Sequence, residues 1–501
     1  MIPPDKTCGG ILLATINAKW IHPSLALRLL KANLGPLEEH CGIMEFALRQ
    51  PLREKTEPIL AADPHILGLS VSIWNLTATL ELLKELWKAW GQEGASGKRP
   101  FVVLGGPEVS HLPVDSEIFG YADCCVLGEG ETAFRELCEA VFAQMGEKTQ
   151  FDGFLSQTRQ NITFANPSFR QEAPDLLKSA YRLYTDEDLH RKLVYVEASR
   201  GCPYACEFCL SSRTGRQVRE FPLEPLLAEM DGLIRRGART FKFLDRSFNL
   251  DIARAKRIME FFLERLEAQT AGGFTVHFEM VPFRFPQDLM LTIARFPPGS
   301  LRLEIGIQTL NPVVSARIGR PSDPRWELEV LRTLRRQTNA IVHADLIAGL
   351  PGEDLASFGR GFDILWEALS PSAGETLEPC AGEKASHVEV QLGILKLLPG
   401  APIARHSAAF GMIYGTSPPY EVTETAAIPA HDMERIKNFA RFWELVVNRG
   451  LAEIGPPPVF DRFMALSDSL FARFGRNWGI PKNELIEAVG SWDEMGFPVG
   501  F

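Results

Sequence analysis

The chain has 501 residues, 45% of them hydrophobic and 23% charged, a balance that excludes a disordered, collagen-like or minimal stapled protein and leaves room for about two to four domains. Lys and Arg number 53 against 63 Asp and Glu, a formal charge of −10, which argues against a protein that coats nucleic acid. No apolar run reaches the ~18 residues of a bilayer span, the start at Met1 lacks the basic-then-apolar order of a signal peptide, and the nine cysteines are mostly scattered, so a reducing, cytoplasmic setting without membrane partners is expected.

Short apolar runs alternate with helical patterns from residue 10 onward. Residues 11–15 read as a strand, 24–33 as an amphipathic helix, and 66–71 and 101–106 as further buried strands, each followed by a helix. This alternation predicts a Rossmann-like, doubly wound parallel sheet over residues 1–145. Residues 146–190 are polar and turn-rich and read as a linker. A second strand and helix series begins at 193–197 and continues at 240–244, 274–278, 301–305, 341–345 and 388–392. Such a series suits a full or partial (β/α) barrel of the TIM type over residues 191–400, with its site at the carboxyl ends of the strands. Residues 401–501 carry helical patterns such as 432–449 and are expected to form a separate, mostly helical domain. The fold class is α/β.

The sharpest feature follows the first barrel strand. Cys202, Cys206 and Cys209 place three thiols within eight residues at the expected mouth of the barrel. Three such ligands can hold three irons of a [4Fe–4S] cubane and leave the fourth iron open. A zinc site is the plainer alternative, and it needs a fourth ligand from a distant His or Cys.

The run from Glu197 to Cys209, with its Cys-Pro-Tyr-Ala-Cys-Glu-Phe-Cys core, resembles the signature loop of the radical S-adenosylmethionine (SAM) superfamily. In that family the open iron chelates the amino and carboxylate groups of SAM, and the reduced cluster releases a 5′-deoxyadenosyl radical that takes hydrogen from an unactivated carbon. The later strand ends are similar to the family's motifs as well. By this likeness Asp245 and Ser247 would meet the methionyl ammonium and Glu279 the ribose hydroxyls. Glu304 and Gln308 lie in a stretch similar to the fourth-strand motif, and 345–353 resembles the fifth. Taken singly, each carboxylate is also explained as a helix cap or a barrel-layer group.

In the first sheet, Gly105-Gly106 and Gly128-Glu129-Gly130 follow strands or strand-like runs. Alone they are tight turns; ahead of a barrel of this family they resemble the cobalamin-binding domain of the class that stacks a corrinoid against the cluster. Residues Asp63 to Gly68 spell the D-x-H-x-x-G string by which some cobalamin domains present a histidine to cobalt. His65, however, leads into a strand and is expected at the opposite edge from the ligand, so the string is read as a coincidence. Trp74 and Asn75 are the candidates for the lower face of the corrin, with His22 as a ligand alternative and a core role as the other reading of Trp74.

After Cys209 only Cys380 remains, so auxiliary clusters are not expected. Residues 401–501 hold 9 Lys and Arg against 12 Asp and Glu, unlike the basic tail of RNA-modifying relatives. The resemblance therefore implies three cofactors, a [4Fe–4S] cluster, SAM and cobalamin, with a small-molecule substrate and an electron donor such as flavodoxin or ferredoxin. Methylation of an unactivated carbon is the leading activity; cyclisation or rearrangement, and a non-catalytic sensor, are the alternatives.

Overall fold

The computed structural model describes residues 10–91, 99–146, 162–212, 217–268, 273–370, 388–493 and 499–500; Cys380 lies outside them. By its contacts the chain divides into two compact units, Met1–Ser199 with Arg219–Phe241, and Arg200–Val218 with Lys242–Phe501.

The first unit is built on six parallel strands: β1 (Ile11–Asn17), β2 (Cys41–Ala47), β3 (Ile66–Ser70), β4 (Phe101–Gly105), β5 (Cys124–Val126) and β6 (Thr163–Ala165). Their order is β2-β1-β3-β4-β5-β6, so the direction of winding reverses between β1 and β3. Every residue of β1 is buried, as a strand covered by helices on both faces requires. Leu12, Leu67 and Leu104 pack on one face, and Ile11, Leu13, Ile66 and Val103 on the other.

Two elements depart from expectation. β2 carries Gly42 and Glu45 and is only half-buried along most of its length, so it lacks the apolar run that marked its neighbours. β6 falls inside the stretch read as a linker; Thr163, Phe164 and Ala165 pair with Cys124, Cys125 and Val126. A three-residue strand is too short to show a period, and its register is set by β5.

The second sheet takes its strands in chain order: β7 (Val194–Val196), β8 (Thr240–Phe243), β9 (Thr275–Met280), β10 (Leu301–Gln308), β11 (Ile341–Ala348) and β12 (Val388–Ile394). Its end strands are not bonded to each other, which makes it the partial form of the barrel. Along β10, Leu301, Leu303, Ile305 and Ile307 are fully buried while Arg302, Glu304, Gly306 and Gln308 alternate with them on the opposite face. That face is polar.

The C-terminal part is mostly helical, with helices Ala430–Trp443, Phe460–Phe474 and Lys482–Asp493, a π-helical turn at Glu444–Asn448 and two short strand pairs. It belongs to the same compact unit as most of the barrel rather than standing apart. Phe362, on the barrel helix Leu355–Leu369, is fully buried with its ring centroid 4.8 Å from Trp443, 5.3 Å from Phe439 and 5.8 Å from Phe460. Edge-on aromatic packing of this kind ties the barrel to its C-terminal helices. Phe362→Ala should cost about 3–5 kcal/mol and lower the urea midpoint of barrel and helices together. Two well-separated transitions in the variant would show that the helices fold alone.

Candidate active site

The cysteine loop leaves the sheet through Gly201, whose φ of +99° and whose approach to the Gln217 carbonyl, 2.3 Å from where a Cβ would stand, admit no side chain. Cys202, Cys206 and Cys209 are half-buried thiols. The Cys209 N–H donates to the Cys206 carbonyl at 3.1 Å, which closes a turn between the last two. Ser247 Oγ lies 3.5 Å from Cys202 Sγ. Burial pushes the Cys206 thiol up; the Arg320 guanidinium works against that, while the neighbouring Cys209 and Cys202 add to it. The three sulfurs are thus near enough to feel one another's charge. Arg320, 9% exposed, also donates to the Gly306 carbonyl, and nothing in the sequence pattern singled it out.

Among the described residues no three His, Cys, Asp or Glu side chains gather about one point as a single metal ion would require. A cubane distributes three thiolates over three irons and needs no such convergence. The donor set fits the cluster.

The turn after β8 holds Asp245 and Ser247, 3% and 6% exposed. It is pinned by Asn249, which donates to the Val281 carbonyl at 2.9 Å and accepts from the Val281 N–H at 2.8 Å. Glu279 on β9 and Glu304 on β10 are register partners. Their surroundings drive them apart. Burial pushes the Glu279 carboxyl up to about 7, against the pull of Arg246, whose Nη1 lies 3.5 Å away. Glu304 is half-buried too, yet His277 at 3.1 Å and Lys242 at 3.2 Å hold it down to about 2. Two adjacent carboxyls therefore differ in charge near neutral pH. Gln308 stands where the β10–β11 register slips, with φ +69°, an uncommon conformation for a side-chain-bearing residue.

In the first sheet the reversal between β1 and β3 makes a crevice at their carboxyl ends, the usual ligand position in such folds. Trp74, expected there or in the core, is 52% exposed just beyond β3; Trp20 and Ile21 follow β1 and are 46% and 41% exposed. The last two were missed because single apolar residues after a strand carry no pattern. Gly105 ends β4 and Gly106 follows it, and Gly128 and Gly130 follow β5. Gly106 has its own structural cause, since a Cβ would meet the Val71 carbonyl oxygen at 2.4 Å.

Two of the expected ligand residues are also engaged within the fold. Asn75 is 1% exposed; its amide donates to the Ile16 carbonyl at 2.9 Å and accepts from the Ser72 N–H at 2.8 Å. Glu129 is held by Arg219, Nη1 at 3.0 Å, and accepts from the Glu172 N–H at 2.8 Å. Carboxamide and carboxylate each help to close a loop. His65 bonds Gly10 at the amino end of β3, away from the crevice, and His22 Nδ1 lies 2.7 Å from the Tyr195 hydroxyl.

Residues 196–361 match the Radical SAM superfamily and residues 11–138 the B12 binding domain. The chain carries a Radical SAM domain and a B12-binding domain. Its cofactors are accordingly a [4Fe–4S] cluster, SAM and cobalamin. The chain is 25% identical over 390 residues to the 2-(S-pantetheinyl)-carbapenam-3-carboxylate methyltransferase of Streptantibioticus cattleyicolor, covering 75% of this chain and 53% of that one. It is 24% identical over 368 residues to the cobalamin-dependent radical SAM methyltransferase TokK of Streptomyces tokunonensis, covering 70% and 50%. The matched part spans about half the length of these relatives. The fold resembles the methyltransferase TsrM from Kitasatospora setae (TM-score 0.60, 17% identity, 82% of this chain and 79% of that). It also resembles the cobalamin-dependent SAM radical enzyme OxsB (TM-score 0.65, 14% identity, 97% and 75%).

Anaerobic reconstitution with iron and sulfide should give about four irons per chain, and replacing Cys202, Cys206 and Cys209 together by Ala should abolish uptake. Full iron binding by the triple variant would refute the assignment. Glu279 generates a second expectation. Its raised pKa means that the folded chain keeps a proton which the unfolded chain releases above about pH 4.3, so stability is lost as pH rises from there through about 7. In the cofactor-free protein Glu279→Gln should flatten that slope and be more stable at pH 8 by about 1–3 kcal/mol. A denaturation series across pH 4.5–8 with parallel wild-type and variant curves would show that the carboxyl is not shifted.

Proposed function

We propose that this protein is a cobalamin-dependent methyltransferase acting on an unactivated carbon of a small molecule. The observation that carries this reading is the union, in one chain, of the three-cysteine loop and its carboxyl-lined sheet with a B12-binding sheet whose switch-point edge is apolar. Reductive cleavage of SAM supplies a hydrogen-abstracting radical, and cobalamin supplies a carrier for the methyl group, when both cofactors are bound.

The chain's own residues then have separable tasks. Cys202, Cys206 and Cys209 hold the cluster. Asp245 and Ser247 receive the methionyl ammonium, the buried carboxylate adding charge assistance. Glu279, close to half-protonated at neutral pH, either donates to or accepts from a ribose hydroxyl, while ionised Glu304 keeps Lys242 and His277 in place. Trp74 offers a flat apolar face to the corrin with no imidazole required. A cleft of about 690 Å³ opens between the edge strand β12 and the helix Ala430–Trp443 and reaches Phe208 of the cysteine loop. Its size suits a small molecule, and Lys437 and Glu434 on its wall offer charges of both signs.

No helix among the described residues is long and apolar enough to cross a membrane. Three thiols that must stay reduced favour the cytoplasm, and a flavodoxin or ferredoxin is the proposed electron source. The relatives named as methyltransferases favour this activity over cyclisation, rearrangement or sensing. With its substrate the reconstituted enzyme should release S-adenosylhomocysteine and 5′-deoxyadenosine in equal amounts, measured by mass spectrometry. Deoxyadenosine without matching S-adenosylhomocysteine, from cobalamin-loaded enzyme, would instead show a rearrangement or cyclisation.

A further inference from the structure

Glu207 stands between two of the cluster cysteines, and its surroundings are not those of a loop residue. It is 7% exposed. Its N–H donates to the Ile318 carbonyl at 3.0 Å, and its carbonyl accepts from the Ile403 N–H at 3.0 Å. Its carboxylate is forked by Arg405, Nε lying 2.9 Å from Oε2 and Nη2 reaching Oε1, and His406 Nε2 lies 2.9 Å from Oε2. Arg405 and His406 sit on the short turn Pro402–His406, some 200 residues further along the chain. The arginine side chain is 66% exposed and reaches in from solvent to a carboxylate that is 9% exposed.

Holding a buried carboxylate for the sake of packing alone is a poor choice. An apolar side chain of similar volume stabilises as well or better, because the ion pair must first recover its desolvation cost. A fixed charge beside a metal cluster does something an apolar group cannot. Reduction potentials of iron–sulfur clusters follow local net charge and the hydrogen bonding of the sulfur-bearing loop.

We infer that Arg405 and His406 are positioning residues for the cluster: through Glu207 they hold the Cys206–Cys209 half of the loop and balance the charge beside it. This rests on the reading of the loop as a cluster site. The C-terminal segment is thereby a component of the redox centre as well as a neighbour of the substrate cleft.

The test uses the full chain reconstituted with cluster, and three variants: Glu207→Gln, Arg405→Ala and Arg405→Lys. Redox titration followed by electron paramagnetic resonance should give a higher potential in Glu207→Gln, where a negative charge is lost. It should give a lower potential in Arg405→Ala, where the carboxylate is left uncompensated, and one near wild type in Arg405→Lys. A loop that was merely loosened would move the first two in the same direction. In the cofactor-free protein, amide exchange at Glu207 and Cys209 should accelerate at least several-fold in Arg405→Ala, whose exposed side chain can be lost without opening the core. Unchanged potentials, or shifts of one sign, would overturn the inference while the cluster assignment stands. If wild type takes up no iron, the cluster reading fails, and unchanged exchange in Arg405→Ala would remove the clamp as well.

Discussion

Both sheets are parallel, and a parallel sheet delivers the carboxyl end of every strand to one edge. That single constraint collects residues far apart in sequence. In the second sheet it brings the cysteine loop after β7, the Asp245 turn after β8 and the ends of β9 to β11 to one rim. In the first sheet the order reverses between β1 and β3, and Trp20, Ile21 and Trp74 stand exposed in the segments that follow these two strands. Chemistry placed anywhere else along these strands would be buried among helices.

The polar face of the second sheet shows what it takes to keep charges in such a place. Arg302 reaches Glu389 with Nη1 at 3.1 Å, and His343 Nε2 lies 3.2 Å from Asp345. Lys242 and His277 converge on Glu304. Leaving such a charge unpaired is costly, so nearly every ionised group here has a partner close by, across the sheet or along its own strand. Glu279 differs because Arg246, 3.5 Å away, pulls its carboxyl down by less than burial pushes it up. Burial then wins, and the carboxyl titrates near neutrality. Contrast between register neighbours, not burial alone, is what separates the two carboxyls.

Much of this was legible in sequence where a physical pattern was repeated. Continuous apolar runs marked β1, β3 and β4, because strands covered on both faces admit little else. Six strand signals in series marked the partial barrel, and the spacing of Cys202, Cys206 and Cys209 marked the loop. What stayed hidden depends on three-dimensional pairing. β2 and β6 take their identity from the strands beside them. Asn75 and Glu129 looked like ligands because polar residues after a strand commonly are, but their bonds to Ile16 and Arg219 are set by segments that only folding brings near. Arg320 and Arg405 were silent for the same reason: an arginine in a loop has no period, and only its partner gives it meaning.

The cysteine loop makes the general point in its most demanding form. A loop that carries three metal ligands contributes little apolar surface of its own, so its shape must be imposed from outside. Ser247 approaches Cys202, Arg320 approaches Cys206, and the Ile318 carbonyl receives the Glu207 N–H. The Arg405 fork adds an anchor from the chain's last fifth. These contacts come from three separate segments, each rooted in the same framework of strands and helices. Preorganisation of this kind is what a metal site needs, since ligands fixed before binding lose little freedom on taking up the metal. It follows that substitutions distant in sequence, in the Pro402–His406 turn or beside Arg320, act on the loop as directly as changes within it.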